Sequence, residues 1–143
     1  MRFFTLKAAP AAGLSMFLLF VVTGRPPIRA QEAASSSDQL ATLKGEGQEL
    51  YTRDCASCHG ADGTGDGAGP SLDGNTNLGN KDHVLKQIIE GSPDNGMDPF
   101  GKALSDHEIA AAATFVRNAW NNSYGVVLDA DVKTARAKTA TAK

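Results

Sequence analysis

The sequence predicts an all-α domain that contains one long glycine-rich loop. Four apolar residues form a helical stripe within residues 81–90, and a second amphipathic stretch runs from Ser105 to about Asn121. The second stretch opens with a capping box, because Glu108 follows Ser105 by three residues. Seven glycines lie between Gly60 and Gly79, which excludes a regular helix or strand there.

Residues 1–30 are predicted to be a secretory signal peptide. Two basic residues precede an apolar run from Ala8 to Val22, and cleavage is expected after the small residue Ala30 or a few residues later. The alternative is an uncleaved membrane anchor, although the run is short for a span and contains Pro10.

The rest of the chain is predicted to hold one small domain between two flanking segments. Residues 31–42 are polar and lack periodicity, so we expect a flexible linker there. Helical character begins near Leu43, and the domain is predicted to occupy residues 43–124. Residues 125–143 are expected to be a tail with a short helix around residues 129–137 and a disordered end.

Loss of the signal peptide would leave ten basic and 16 acidic residues, a net charge of −6. This charge argues against nucleic acid as a partner and favours docking on a neutral or basic surface, at a salt-dependent rate. The alternative is that the excess acid serves only solubility. Membrane association is expected only through a partner or an uncleaved signal segment.

The strongest chemical signal is the stretch Cys55-Ala56-Ser57-Cys58-His59, which holds both cysteines of the chain. Cys55, Cys58 and His59 stand at i, i+3 and i+4, so one helical turn would place two thiols and an imidazole on a common face. This is the spacing of a covalent haem attachment site. The thiols would form thioethers with the haem, and the imidazole would bind its iron.

Other uses of the same residues fit less well. Zinc needs four ligands, and beyond this cluster the chain offers only His83 and His107, without the paired spacing of structural zinc sites. A thioredoxin-like redox pair would need a βαβ pattern around it, and none is visible. In an exported chain Cys55 and Cys58 could also form a disulfide, but the histidine directly after Cys58 favours haem attachment.

A calcium loop at residues 62–73 is a further, weaker alternative. Its candidate ligand positions one, three, five, six and twelve would be Asp62, Thr64, Asp66, Gly67 and Asp73. An aspartate replaces the usual glutamate at the last position, and no typical pair of flanking helices is evident.

Met97 is predicted to be the distal ligand of the haem iron. It is the only methionine beyond the signal peptide, and Pro93 and Pro99 stiffen its loop. An iron bound by His59 on one side needs a sixth ligand, and thioether sulfur is a standard one. A methionine that fills a gap in the core is the alternative, with His107, His83 or an open site at the sixth position.

These features together resemble a class I monohaem cytochrome c over residues 43–124. The resemblance rests on Gly47 and Tyr51, the Cys55–Gly60 motif, Gly69-Pro70-Ser71-Leu72, Met97, and a last helix with Phe115 and Trp120. It implies the class I cytochrome c fold, in which three to four helices surround one covalently attached haem c.

The resemblance also implies two contacts. Gly47 and Tyr51 would pack against the region of Phe115, and the Pro70 carbonyl would accept the Nδ1 proton of His59 and orient its ring. Asp98, beside Met97, departs from the family pattern, in which an apolar residue or proline is common.

The expected function is that of a periplasmic one-electron carrier, not an enzyme. It would cycle between Fe(II) and Fe(III), taking electrons from a dehydrogenase or quinol-oxidising complex and passing them to a terminal oxidase or reductase. The segment after the last helix also resembles cytochrome c domains that serve dehydrogenases and reductases, so the alternative is an electron-transfer subunit of a larger complex. A haem peroxidase or ligand sensor would require Met97 to be absent from the iron or labile.

Overall fold

The computed structural model describes residues 28–65 and 69–141. Within these ranges the chain forms five helices: α1 (Ile28–Asp54), α2 (Ala56–His59), α3 (Lys81–Glu90), α4 (Asp106–Asn118) and α5 (Asp129–Thr141). Short 3₁₀ turns lie at Thr76–Gly79 and Pro93–Asn95. The described residues contain no β-strand, only an isolated bridge between Ser92 and Met97. The prediction of an all-α fold is confirmed.

The two helices with the clearest sequence signals lie where they were expected. α3 begins after Asn80, whose side chain accepts from the backbone N of His83, and ends before Gly91, at φ 68°. The capping box of Ser105 and Glu108 is complete at the start of α4. Local capping chemistry therefore determines both helix starts.

α1 and α4 cross at Gly47 at very short distance. A Cβ atom on Gly47 would lie 2.1 Å from the carbonyl oxygen of Ala111 and 2.7 Å from Cβ of Phe115. α4 is lined at this crossing by the buried alanines of residues 110–113. Small residues on both helices thus bring their backbones together and set the position of the end of α1.

Three aromatic rings fill the corner between this crossing and the loop after α2. The ring centroids of Tyr51 and Phe115 are 5.2 Å apart, and that of Trp120 lies 5.3 Å and 5.5 Å from them. Trp120 follows α4 in a left-handed conformation, φ 54°, which is uncommon for a residue other than glycine. The contact expected between Tyr51 and the Phe115 region is present, and Trp120 completes the cluster.

The first helix is longer than predicted. α1 begins at Ile28 and not near Leu43, so residues 31–42 are helical and the flexible linker was wrong. Of the side chains that the structure describes, those of residues 36–39 are exposed and Leu43 is the first buried one. Residues 31–42 therefore offer no apolar periodicity that would reveal a helix. Its alanine, glutamine and glutamate residues nevertheless favour helix. The predicted signal peptide falls mostly on residues 1–27, outside the described residues.

The segment beyond residue 124 belongs to the core, contrary to the expected tail. Val127 and Val132 are 0% exposed, and α5 packs against α3 and α4. The helix expected around residues 129–137 exists and continues to Thr141. The buried apolar residues of this segment are Val127, Val132 and Ala135, too few to stand out in a lysine- and alanine-rich sequence. The expected disordered end falls largely on residues 142–143, outside the described residues.

Candidate haem site

The Cys55–His59 stretch forms a single helical turn directly after α1. The backbone N of Cys58 and of His59 both donate to the carbonyl oxygen of Cys55, at 3.1 Å and 3.0 Å. Cys55, Cys58 and His59 thus lie within one helical turn. Neither cysteine takes part in a disulfide; Cys55 is half-buried and Cys58 is exposed. Burial, with smaller effects of Asp54 and Cys58, raises the pKa of Cys55 to about 11.

The imidazole of His59 is fixed by the glycine-rich loop. Its Nδ1 lies 2.9 Å from the carbonyl oxygen of Pro70, the contact that the resemblance implied. A carbonyl oxygen can only accept, so Nδ1 carries a proton, and in the neutral imidazole the lone pair is then on Nε2. A Cβ atom on Gly69 would lie 2.8 Å from Nδ1, so only glycine lets the loop approach the ring this closely. The ring is thus prepared to bind a metal through Nε2.

Backbone hydrogen bonds tie the described parts of the loop to the cysteine turn. Gly65 donates to the carbonyl oxygen of His59 and Gly69 to that of Cys58, both at 2.9 Å. The buried hydroxyl of Tyr51 donates to the carbonyl oxygen of Gly60 at 2.6 Å, and burial raises the pKa of Tyr51 to about 12. The loop therefore has a defined course on both sides of residues 66–68.

Two carboxylates of the calcium alternative, Asp62 and Asp73, have partners within the protein. Asp73 accepts from the backbone N and the Nδ2 of Asn121, at 3.0 Å and 2.9 Å, and Asp62 accepts from Thr64. Asp66 and Gly67 lie outside the described residues. In the described part of the chain, no group of three or more His, Cys, Asp or Glu side chains is placed to hold a metal ion. The described residues of this loop therefore give the calcium alternative no support.

Met97 lies at the end of a tight turn. Its backbone N donates to the carbonyl oxygen of Ser92 at 3.1 Å, and Ser92 donates back to that of Met97 at 2.8 Å. Gly96 enters the turn in the left-handed conformation, φ 78°. Met97 itself is half-buried. The turn fixes the backbone of Met97, and ligation of iron by its sulfur stays a prediction.

The other two histidines lie on helices α3 and α4. His83 is exposed in the first turn of α3. His107 is exposed too, but its Nε2 lies 2.9 Å from a Glu46 carboxylate oxygen and its Nδ1 3.2 Å from one of Asp129. These two carboxylates raise the pKa of His107. His107 thus connects α1, α4 and the start of α5, a role that solvent exposure alone did not suggest.

Two arginines that hold loops together were missed by the sequence reasoning. Arg117 is only 5% exposed, and its guanidinium donates to the carbonyl oxygens of Leu78, at 2.5 Å, and of Tyr124. It stands four residues after Ala113 on the apolar face of α4, a position that could have marked it as buried. Arg136, on α5, donates to the carbonyl oxygens of Gly101 and Leu104, and no apolar periodicity around it predicts this.

The donor set fits a covalently bound haem. Two thiols stand one helical turn apart, the next residue is an imidazole whose Nε2 is free to bind iron, and a loop of glycines covers the ring. With an all-helical fold around it, this site defines a c-type cytochrome domain.

Comparison with known proteins gives the same class. Residues 43–116 match the family described as "Cytochrome C oxidase, cbb3-type, subunit III", and the chain belongs to this family. The "Fructose dehydrogenase cytochrome subunit" of Gluconobacter japonicus is 35% identical over 135 residues, which cover 82% of this chain and 28% of that protein. The chain thus spans less than a third of that relative's length. Electron transfer is the role that the cytochrome c class gives it.

Among the described helices, none is both long enough and apolar enough to cross a membrane.

Proposed function

We propose that this chain is an exported monohaem c-type cytochrome that works as a one-electron carrier in the periplasm. Its donor would be a dehydrogenase or a quinol-oxidising complex, and its acceptor a terminal oxidase or reductase. The observation that carries the proposal is the single helical turn that contains Cys55, Cys58 and His59, with the Pro70 carbonyl 2.9 Å from Nδ1 of His59. One such motif in the chain corresponds to one haem.

Each residue of the site has a separate task in this proposal. Cys55 and Cys58 would hold the haem through two thioethers, His59 would bind the iron through Nε2, and Met97 would bind it through sulfur. Haem bound in this way supplies one iron that changes between Fe(II) and Fe(III). The Pro70 carbonyl keeps the proton on Nδ1 and prevents the imidazole from turning, which also makes His59 a stronger donor.

Met97 is a better candidate for the distal position than His107. Both ring nitrogens of His107 already contact carboxylates, from Glu46 and Asp129, and binding a metal would break one of these contacts. Met97 carries an uncharged sulfur on a backbone that is fixed at both its N–H and its carbonyl oxygen. With His59 and Met97 both bound, no coordination position remains for a substrate, so the proposed role is electron transfer and not catalysis.

Met97→Ala is expected to change the iron from six-coordinate low-spin to a state that binds carbon monoxide when reduced. The reason is that alanine offers no donor for the sixth position. Absorption spectra of the ferric and ferrous holoprotein, with and without carbon monoxide, measure this.

His107→Gln is the control and should keep the wild-type spectra. An unchanged spectrum in Met97→Ala would mean that another group is the ligand. A wild-type ferrous protein that binds carbon monoxide at neutral pH would instead favour a peroxidase or a ligand sensor.

A second candidate function is that of an electron-transfer subunit in a dehydrogenase complex. It is favoured by the similarity to a dehydrogenase cytochrome subunit that is more than three times as long as the matched region. Purification of the tagged chain from its native host distinguishes the two functions. A catalytic subunit that co-purifies in fixed proportion supports the complex, whereas a monomer that exchanges electrons in solution supports the free carrier.

A further inference from the structure

Arg136 on α5 contacts the segment that follows Met97. Its guanidinium donates to the carbonyl oxygens of Gly101 and of Leu104, the latter at 2.8 Å. Its Nε also donates to a carboxylate oxygen of Asp106, at 2.6 Å, where α4 begins. The Arg136 and Asp106 side chains are only 29% and 27% exposed. One side chain thus supplies three charge-assisted hydrogen bonds to the connection between the Met97 turn and α4.

The same connection is attached to α3 from the other side. The backbone N of Phe100 and of Gly101 donate to the carbonyl oxygens of Ile88 and Ile89, at 3.0 Å and 3.1 Å. A Cβ atom on Gly101 would lie 2.7 Å from the Ile89 oxygen, so this contact is tight. Gly101 is therefore held between α3 and α5.

The position of Gly101 restricts that of Met97. Only three residues separate them, and one of these is Pro99, whose φ is fixed. On the other side, the two backbone hydrogen bonds between Ser92 and Met97 close the turn. A displacement of Gly101 would therefore be transmitted to the backbone of Met97. Removal of the guanidinium would also leave the Gly101 and Leu104 carbonyls without this donor.

We infer that Arg136 is a positioning residue for Met97, through which α5 holds the distal ligand on the iron. The inference rests on the proposed function, in which Met97 is that ligand. Arg136 acts through the loop backbone: with the loop held, the thioether stays bound, and with the loop released, the sulfur leaves the iron for a larger fraction of the time.

The test is competition between Met97 and added imidazole for the ferric iron of the holoprotein. In Arg136→Met, the apparent affinity for imidazole is expected to rise about tenfold, because the ligand-free state is more populated. Lys138→Met is the matched control: Lys138 lies on the same helix, pairs with Asp82 of α3 at 2.8 Å, and should leave the affinity unchanged.

A double-mutant cycle isolates the effect on Met97. In a Met97→Ala background, Arg136→Met should not change the imidazole affinity, because no thioether competes. If Arg136→Met raised the imidazole affinity equally with and without Met97, or raised it in neither case, the positioning role of Arg136 would be overturned. The same rise in imidazole affinity in Lys138→Met as in Arg136→Met would also overturn this role.

If Arg136→Met does not accumulate as holoprotein, Arg136→Lys is the variant to test instead. Lysine can keep the pair with Asp106 but cannot reach both carbonyls as the guanidinium fork does. Backbone hydrogen exchange in residues 97–104 should be faster in this variant than in Lys138→Met, and equal exchange contradicts the inference.

A wild-type ferric protein without a sulfur-to-iron charge-transfer band would overturn the proposed Met97 ligation itself. A normal band combined with an inert Arg136 overturns only the positioning role.

Discussion

Gly47→Ala is expected to lower the free energy of unfolding of the holoprotein by about 3 kcal/mol, at the upper end of the usual cost of overpacking. The new methyl group would lie 2.1 Å from the carbonyl oxygen and 2.6 Å from the carbonyl carbon of Ala111. Both are backbone atoms, so no rotation of a side chain relieves the contact. α1 and α4 would have to separate, and the buried residues at their crossing would lose contacts.

Denaturant unfolding followed by circular dichroism measures this effect, and Gly45→Ala is the matched control. Gly45 lies on the same helix, is exposed, and has nothing within 4 Å of its added Cβ position. Alanine there should be neutral or should stabilise the helix by up to about 1 kcal/mol. If both variants unfold at the same denaturant concentration, α1 and α4 do not pack at the distance described.

The elements that could be predicted are those whose signals are local. α3 and α4 combine an apolar stripe with a capping residue, and the thiols and imidazole of the cysteine motif are placed by helical spacing alone. The His59–Pro70 and Tyr51–Phe115 contacts join residues far apart in sequence, and they were expected only because the motif set resembles a known family. Spacing within one helix carries no information about such pairs.

The elements that could not be predicted depend on surfaces brought together by folding. Residues 31–42 have no apolar periodicity in sequence, so this part of α1 could not be distinguished from a polar linker. The segment that contains α5 buries Val127, Val132 and Ala135, and their burial becomes evident only when α3 and α4 are in place. Arg117 and Arg136 bind loop carbonyls that have no helical partner, and sequence periodicity does not reveal which carbonyls these are.

Replacing both Cys55 and Cys58 with alanine is expected to abolish covalent attachment of haem. The chain has no other thiol, so a thioether could form nowhere else. Haem held only by axial ligands would then exchange with solvent, because the tether that keeps its local concentration high is gone. Denaturing gel electrophoresis with haem staining and the intact mass of the protein measure the loss, which should be complete.

Ser57→Ala is the matched control for this double variant, because it keeps both thiols and their spacing within the same turn. It should retain haem at the wild-type level. Each single cysteine variant should lose at most part of the attachment, because the remaining thiol can still form one thioether. Haem that stays covalently bound in the double variant would show that the Cys55–His59 turn is not the attachment site, and the assignment of His59 as the proximal ligand would lose its main support.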